Sequence, residues 1–417
     1  MKKCLYITYH GAWPDPPQVN CIRALKNHFT DLTVVQPGYG SSVDAFRSWG
    51  VEVITRPPPH GRLRPESVLG RCAQLLRFRK AVHEFISRMC PDLVVTYMLH
   101  SLAVLPRGRR EQRSTRLVSM VLDIPALEYS GLLDSVIIRA GWRRLAQADL
   151  VWASDAFKVQ LAQQIGQLPT LPLVCHNCPP RDYLPEPAFA RDPWLRGQLR
   201  QQGATLGESG GCVLLRAGAI GEHGGIEETL EAMRDLPLDY VFLMLGRPTE
   251  AYKQRLVSRI AALRLERRAF FWDRPNDEVW KKALQGADIG HLIHGPFPPG
   301  YMTRLYELNS SLSNNRLFQY MAAALPIIAY DDPRMNELYD EVPCFRVARI
   351  VRLKDDLLRT WRELGVDICA RTQLGQAART AQTSKYYWEK QFAPVVEAID
   401  QLMNYGTGQG NELRNER

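Results

Sequence analysis

The chain has 417 residues, a length that usually folds as two or three domains. Its formal net charge of +9 and its pI of about 9.1 indicate an acidic partner or surface, such as nucleotide phosphates, anionic lipid headgroups or nucleic acid. The sequence contains no recognition-helix signature, zinc-finger spacing or aromatic RNA-binding signature, so we expect no nucleic acid among the partners.

The first residues, MKKCLYITYHGAW, predict a short strand, without the long apolar segment and cleavage site of a signal peptide. No run of about 18 apolar residues occurs, so we expect no membrane-spanning helix. The nine cysteines are scattered, which is typical of reduced thiols. We therefore expect a location in the cytoplasm or at the inner face of the membrane. The motifs CHNC (175–178) and HLIH (291–294) lack the companions of a metal site, so we expect no metal.

Strand and helix patterns alternate through the first 180 residues. Short β-branched runs, most of them followed by a helical pattern, favour a parallel sheet with helices on both faces. In chain order these patterns are CLYITY (4–9), QVNCIRALKNHF (18–29), DLTVVQPG (31–38), VEVITRPPP (51–59), the long helix at 66–89, PDLVVTYM (91–98), TRLVSMVLD (115–123), the helix at 137–148, DLVWASD (149–155), AFKVQLAQQIG (156–166) and LPLVCHNCPP (171–180).

The alternation restarts after a stretch rich in Pro, Gly and charge at 180–210, which predicts an interdomain connection. In chain order the later patterns are CVLLRAG (212–218), GGIEETLEAMRDL (224–236), YVFLMLG (240–246), EAYKQRLVSRIAAL (250–263), AFFWD (269–273), DEVWKKALQGA (277–287), DIGHLIHG (288–295), NNRLFQYMAAALPIIAY (314–330) and KYYWEKQFAPVVEAIDQLM (385–403).

We therefore predict an α/β protein with two doubly wound, Rossmann-like domains at 1–185 and 209–380, facing each other across a cleft. A linker spans 186–208, an amphipathic helix occupies 381–403, and residues 404–417 form a flexible tail. Ligands of such sheets bind beyond the carboxyl ends of the strands.

A glycine-rich turn at 218–225 separates a predicted strand from a predicted helix. Gly218, Gly224 and Gly225 permit a tight turn and close approach of the backbone to a ligand. The helix that begins near Gly225 presents free N–H groups and the positive end of its dipole, which suit a diphosphate. Glycine spacing alone is equally compatible with a plain strand-to-helix turn.

A second helix start lies in SNNRLFQYMAAALPIIAY at 313–330. Its small residues, MAAA, predict a core helix packed on a sheet. Asn315, Arg316 and Gln319 lie near its amino terminus, where amide and guanidinium groups can bind a ribose, a sugar or a phosphate.

These two stretches resemble the retaining glycosyltransferases of family 4, which have the two-domain GT-B architecture. That family often carries P-N-K-L-F-E-Y-M-A-A-G-L-P-V-I-A, and residues 314–329 read NNRLFQYMAAALPIIA. It also often carries G-R-L-x-x-x-K-G followed by a helix, and residues 218–232 read GAIGEHGGIEETLEA. Four shorter stretches are also similar to the family: LVCHNCP, LMLGRP, GADIGHLI and YYWEKQ.

The resemblance implies an enzyme that moves a sugar, of hexosyltransferase type, from a nucleotide-sugar to an acceptor with retention. The acceptor would be a glycan or lipid-linked saccharide in polysaccharide or glycoconjugate biosynthesis. It would bind the amino-terminal domain, the donor would bind the carboxyl-terminal domain, and the helix at 381–403 would cross back to the amino-terminal domain. The nucleotide-sugar is a co-substrate, and no further cofactor is expected.

The resemblance also implies site residues. The donor-binding residues would be Gly218, Gly224, Gly225, Asn315, Arg316, Leu317 and Gln319. Beyond the resemblance, Arg216, His223 and Arg247 offer positive charge near the strand ends, and we expect at least one cation among these three and Arg316 to meet the diphosphate. The catalytic residue that the resemblance implies is Asp123, which stands where many relatives have a His or a His-Asp pair. His10 and His100 also follow predicted strands of the amino-terminal domain and are catalytic candidates, and of the three we favour Asp123 and His100. A lone His or Asp at a strand end is often only a capping group.

Four positions depart from the family pattern. The phosphate-binding Arg falls on Ala219 and the Lys on Gly224, while the ribose-binding Glu falls on Gln319 and an earlier Glu on Ser311. An amide binds hydroxyls more weakly than a carboxylate does. The departures motivate an alternative, in which the chain is a catalytically impaired GT-B relative that acts as a binding or accessory subunit. An epimerase or phosphorylase of the same fold is a third hypothesis.

Basic residues cluster in the first domain, on the helix at 66–89, in the loop 107–116 (RGRREQRSTR) and at 137–144 (IIRAGWRR). One interpretation is a set of solvated faces. The other is a surface that rests on an anionic membrane, near a lipid-linked acceptor.

Overall fold

The computed structural model describes most of the chain. The described residues are 2–9, 16–37, 43–56, 68–106, 115–126, 130–185, 191–207, 210–222, 224–273, 275–294, 315–330, 336–342, 345–348 and 353–404.

The chain divides into two compact units. The first includes Met1–Asn177 and Trp388–Arg417, and the second includes Cys178–Thr303 and Asn314–Tyr387. Each unit is built on its own parallel sheet with helices in the connections, so the predicted α/β class with two Rossmann-like domains is confirmed. Of the predicted tail, 404–417, Asn404 is the last residue of a helix, and 405–417 lie outside the described residues.

The sheet of the first unit has the strand order β3-β2-β1-β4-β5-β6-β7, with every pair parallel. Nearly every residue of β1, β4 and β5 is buried, as expected for strands covered on both faces. The elements, in chain order, are β1 Lys3–Thr8, α1 Pro16–His28, β2 Asp31–Pro37, α2 Val43–Ser48, β3 Glu52–Arg56, α3 Val68–Met89, β4 Leu93–Tyr97, α4 Met98–Ala103, β5 Arg116–Val121, α5 Leu132–Leu145, β6 Leu150–Ala153, α6 Ala156–Gly166 and β7 Leu173–Val174.

The sheet of the second unit has the order β10-β9-β8-β11-β12-β13, again with parallel pairs. Its elements are α7 Pro193–Gln201, β8 Cys212–Ala217, α8 Ile226–Arg234, β9 Tyr240–Leu245, α9 Glu250–Ala262, β10 Ala269–Trp272, α10 Asp277–Gly286, β11 Ile289–Leu292, α11 Asn315–Ala322, β12 Ile327–Tyr330, α12 Asn336–Glu341, β13 Phe345–Ala348, α13 Leu353–Val366 and α14 Ile368–Ser384.

The segment predicted as a linker contains helix α7. Its sequence reads DPWLRGQLRQ, and the Asp192 side chain accepts a hydrogen bond from the backbone N–H of Trp194 at the helix start. Pro193 occupies the first turn, where its missing N–H does no harm. Leu195 and Leu199 are fully buried, so this part of the segment is folded within the second unit.

The last helix, α15 (Trp388–Asn404), belongs to the first unit, although it follows the second in sequence. Its buried residues recur on one helical face, and Trp388 and Phe392 join the core that contains Trp152. The Phe392 ring stacks on Trp388 at 4.9 Å and meets Trp152 edge-to-face at 5.8 Å. None of the helices in the described part of the chain is long and apolar enough to span a bilayer.

Replacing Phe392 with Ala should lower the free energy of unfolding of the first unit by about 3–5 kcal/mol, because a fully buried ring is removed from a packed core. Denaturant unfolding followed by tryptophan fluorescence measures the change. The matched control is Glu397→Ala, an exposed site on the same helix. Equal losses from the two variants would show that α15 is not docked through this aromatic cluster.

Candidate functional site

The glycine-rich turn connects β8 to α8 at the carboxyl edge of the second sheet. Gly218 has a φ of 110°, and its N–H donates to the carbonyl of Leu245 on the neighbouring strand. A Cβ atom on Gly246 would lie 1.9 Å from the Gly218 carbonyl oxygen. Both positions therefore require glycine, since the backbones at the ends of β8 and β9 are nearly in contact.

Arg216 supports this turn from inside the protein. Its side chain, only 1% exposed, donates from Nη1 to the carbonyls of Gly224 at 2.9 Å and Ile293 at 2.8 Å. Nη2 donates to the carbonyl of Ala219 at 3.3 Å. A Cβ atom on Gly224 would lie 2.8 Å from the Arg216 guanidinium carbon, so the arginine occupies the space of a side chain there. Arg216 thus holds the turn instead of presenting its guanidinium to solvent.

A buried histidine extends this network. His291 Nδ1 lies 3.3 Å from Arg216 Nη1, and its Nε2 lies 2.9 Å from Thr229 Oγ1. The Thr229 hydroxyl uses its only hydrogen to donate to the carbonyl of Gly225, so Nε2 carries the hydrogen and donates to Oγ1, and the bare Nδ1 faces the guanidinium. Gly225 is the residue before α8. The turn is therefore tied to both β8 and β11.

The charge of Arg216 has no carboxylate partner among the described residues. Its hydrogen-bond partners are three carbonyls and one imidazole. Burial and the nearby Arg316 lower the pKa of the Arg216 guanidinium, but an arginine starts so high that it stays protonated. Burial, Arg216 and Arg316 together hold the pKa of His291 well below its ordinary value, so this imidazole is neutral. The site beneath the turn is a region of desolvated positive charge.

Helix α11 brings a second guanidinium to the same turn. Arg316 is 8% exposed, and a Cβ atom on Gly218 would lie 2.8 Å from its Nη2. Asn315, the first residue of the helix, has a buried Oδ1 without a hydrogen-bond partner in the part of the chain that the structure describes. Leu317 is fully buried, so its side chain belongs to the core.

Tyr320 fixes the position of α11 against the sheet. Its hydroxyl accepts from the N–H of Ala217 at 2.8 Å and donates to the carbonyl of Leu215 at 2.9 Å, on β8. Gly290 on β11 makes room for the ring, because a Cβ there would lie 2.6 Å from it. The carbonyls at the other end of α11 accept from Arg191 and Arg379, which suits the negative end of the helix dipole.

Gln319, further along α11, contacts two aromatic side chains. Its Oε1 accepts from Trp280 Nε1 at 3.4 Å, and its Nε2 donates to the Tyr183 hydroxyl at 3.3 Å. Burial and the nearby Asp277 raise the pKa of Tyr183, so its hydroxyl stays protonated. The Gln319 amide is thus engaged with two aromatic residues of its own unit.

The other predicted donor residues differ in their surroundings. Arg247, directly after Gly246, is exposed at the carboxyl edge of the sheet. His223 lies outside the described residues. The first turn of α8 carries Glu227, whose negative charge is shared with Arg255 at 3.1 Å.

In the first unit, two predicted catalytic residues follow neighbouring strands. His100 lies on α4, after β4, with its ring stacked on Tyr9 at 5.9 Å. Asp123 lies two residues beyond β5 and is exposed. The segments touch, since the N–H of Leu122 donates to the sulfur of Met98. The third residue, His10, lies outside the described residues.

Asp123 is held by a buried lysine that the sequence analysis missed. Lys158 is 1% exposed, and its Nζ lies 3.1 Å from Asp123 Oδ1 and donates to the carbonyl of Leu122. The sequence did contain a signal of this buried lysine, since Lys158 lies in an otherwise apolar first turn of α6, AFKVQ. Helix α6 follows β6, the strand next to the one that precedes Asp123. His291 was also missed, because HLIH was interpreted as an ordinary strand.

Among the described residues, no group of three or more His, Cys, Asp or Glu side chains is placed to hold a metal ion.

Solved structures of low sequence identity share this fold over nearly the whole chain. Anabaena HepE (Alr3699) in complex with UDP matches with a TM-score of 0.69 at 17% identity, covering 96% of this chain and all of HepE. The catalytic domain of Arabidopsis thaliana starch synthase IV, bound to ADP and acarbose, matches with a TM-score of 0.69 at 11% identity, covering 97% and 99%.

A Listeria monocytogenes protein assigned as a UDP-N-acetylglucosamine 2-epimerase also matches, with a TM-score of 0.60 at 11% identity, covering 97% of both chains. No protein-family model matches the sequence, and no curated protein matches it. These likenesses establish the two-domain GT-B architecture, which proteins of different activity share.

His291 should make the second unit less stable in acid. Its pKa in the folded state is lowered, so below about pH 6.5 the unfolded chain binds more protons, and the free energy of unfolding falls as pH falls, by at most about 1.4 kcal/mol per unit. Above that pH the effect is absent. Denaturant unfolding from about pH 5 to pH 8 should show this slope in the wild type and a flatter one in His291→Gln. Because the other histidines are common to both proteins, identical slopes would contradict a neutral, buried His291.

Proposed function

We propose that the protein is a glycosyltransferase that moves a hexosyl group from a nucleotide-sugar to a saccharide or lipid-linked acceptor, with retention, as the family 4 resemblance implies. The donor binds the second unit and the acceptor the first, in polysaccharide or glycoconjugate biosynthesis. The nucleotide-sugar is a co-substrate, and the proposed reaction uses no further cofactor or metal.

One observation carries this proposal: the buried, desolvated charge of Arg216 beneath a glycine turn that opens a helix. Three carbonyl dipoles only partly compensate a cation in that position. An anion on the outer side of the turn would compensate it further. The same anion would also meet Arg316 beside Gly218 and the positive end of the α8 dipole. A diphosphate has the charge and the extent for this position.

The proposed roles follow from the placement of each residue. The turn and Arg316 bind the diphosphate and stabilise its growing charge as the bond to the sugar breaks. The buried Oδ1 of Asn315 accepts a hydrogen bond from a donor hydroxyl. Gln319 and Leu317 act by positioning α11, and Arg247 adds positive charge at the sheet edge. The nucleotide complexes of HepE and starch synthase IV support a nucleoside diphosphate donor, with uridine and adenosine as the first bases to test.

The alternative is a binding or accessory subunit without transferase activity. The specific observation in its favour is that the positions of the family's two cations hold Ala219 and Gly224, and that Arg216 is engaged in supporting the turn. Nucleotide binding without transfer to any acceptor would favour it.

A nucleoside diphosphate of one base should raise the thermal transition of the wild type, because a ligand that binds only the folded state stabilises it. The panel is UDP, GDP, ADP, CMP and dTDP, free and as sugar conjugates. Arg316→Gln should weaken the binding of the active nucleotide at least about tenfold, since a charge-assisted contact to phosphate is lost.

The control for this variant is Arg359→Gln, an exposed arginine of the same unit. Its affinity for the nucleotide should equal that of the wild type. The free energy of unfolding of both variants separates a lost contact from a lost fold. No shift with any nucleotide would contradict the donor site itself.

Asp123→Asn should lower kcat at least about a hundredfold while nucleotide affinity is unchanged, if the carboxylate acts on the acceptor or donor sugar. The measurement is transfer from the nucleotide-sugar identified above. Asp44→Asn, an exposed carboxylate on α2 of the same unit, is the matched control. Equal activity of the three proteins would remove Asp123 from the catalytic residues.

A further inference from the structure

The first unit exposes large aliphatic side chains on two neighbouring helices. Leu69 and Leu76 on α3 are 68% and 64% exposed, and Leu132 and Val136 on α5 are 86% and 58% exposed. Each pair lies on one side of its helix, because a spacing of seven or four residues returns to the same face. Isolated exposed aliphatic residues are ordinary, but four on adjacent helices form a surface feature.

The two helices present these residues in the same direction. Both pack on one core: Phe78 and Val82 of α3 and Ile138 and Trp142 of α5 belong to a single buried cluster. An ion pair of 3.0 Å between Arg71 and Asp134 joins their first turns. The sides of α3 and α5 that face away from that cluster therefore lie next to each other. We call this surface, which carries Leu69, Leu76, Leu132 and Val136, the α3–α5 face.

Basic residues follow the exposed aliphatic residues along the same side of each helix. On α5, Leu132, Val136, Arg139 and Arg143 are spaced by four, three and four residues, which places them in one line, and all four are exposed. On α3, Arg77 and Lys80 are exposed beside Leu76. Lys80 lies 3.9 Å from the carboxylate of the exposed Glu84, so the α3–α5 face combines an apolar end with a cationic end carried by Arg77, Arg139 and Arg143.

The apolar end lies at the functional edge of the sheet. Helices α3 and α5 are the elements that follow β3 and β5 in the chain. Because the strands are parallel, a helix that connects two of them starts at the edge where the strands end. Asp123 and His100 follow strands at this same edge.

We propose that the α3–α5 face docks on an anionic lipid bilayer, with Leu69, Leu76, Leu132 and Val136 entering the headgroup region and the arginines contacting lipid phosphates. Aliphatic side chains gain from leaving water, and cations gain from the negative surface potential. Two other occupants fit this surface less well. A site for single-stranded nucleic acid would carry aromatic residues for base stacking, and here the apolar residues are aliphatic. A second copy of the chain would place its own arginines against these arginines. This inference deepens and rests on the proposed function, because it selects a lipid-linked acceptor delivered beside Asp123.

The test is co-sedimentation of the full chain with vesicles of phosphatidylcholine mixed with phosphatidylglycerol, against vesicles of phosphatidylcholine alone. Binding should require the anionic lipid and weaken at high salt. The combined variant Leu76→Ser, Leu132→Ser, Val136→Ser should bind the anionic vesicles roughly tenfold more weakly or worse. The combined variant Arg77→Gln, Arg139→Gln, Arg143→Gln should also lose at least about tenfold.

The matched control is Leu238→Ser with Val257→Ser, two exposed aliphatic sites of the second unit, which should bind vesicles like the wild type. No binding of the wild type at low salt, or equal losses from control and face variants, would overturn the proposal. So would a stable dimer in light scattering that the apolar variant dissociates, or RNA binding as tight as vesicle binding and unaffected by the serine substitutions. Nucleotide affinity, measured without vesicles, reports separately on the proposed function.

Discussion

The buried guanidinium of Arg216 is the constraint on which the architecture of the second unit's site depends. It connects β8 to the turn through Gly224 and to the segment after β11 through Ile293. Through His291 it also reaches Thr229 in the first turn of α8. One desolvated cation therefore sets the path of the backbone that would meet an anion. Because its hydrogen-bond partners are all neutral, none of them cancels the charge of this guanidinium.

This arrangement gives a physical account of two departures from the family pattern. A side chain at position 224 would collide with the Arg216 guanidinium, so the lysine expected there is sterically incompatible with this network. Arg316 lies against Gly218, at the start of the turn that also contains Ala219. In this chain the cations near the turn are Arg216 and Arg316, on the strand and the helix beneath and beside it, and positions 219 and 224 carry none.

The first unit has a comparable pairing of a buried cation with an outward-facing group. Lys158 is nearly inaccessible, yet its ammonium contacts the exposed carboxylate of Asp123. Its second contact, to the carbonyl of Leu122, fixes the ammonium and hence the carboxylate beyond β5. The α3–α5 face borders this edge of the sheet. The proposed docking of that face on a bilayer would bring a lipid-linked acceptor to this positioned carboxylate.

Local pattern in the sequence was enough to predict both sheets, since alternating short strands and amphipathic helices have few other solutions. It also located the glycine turn, because Gly218 and Gly225 adopt backbone conformations that other residues avoid. The roles of Arg216, His291 and Lys158 depended on tertiary structure. Whether a charged side chain points into a core or toward a ligand depends on residues distant in sequence, and a strand or helix pattern contains no record of those contacts.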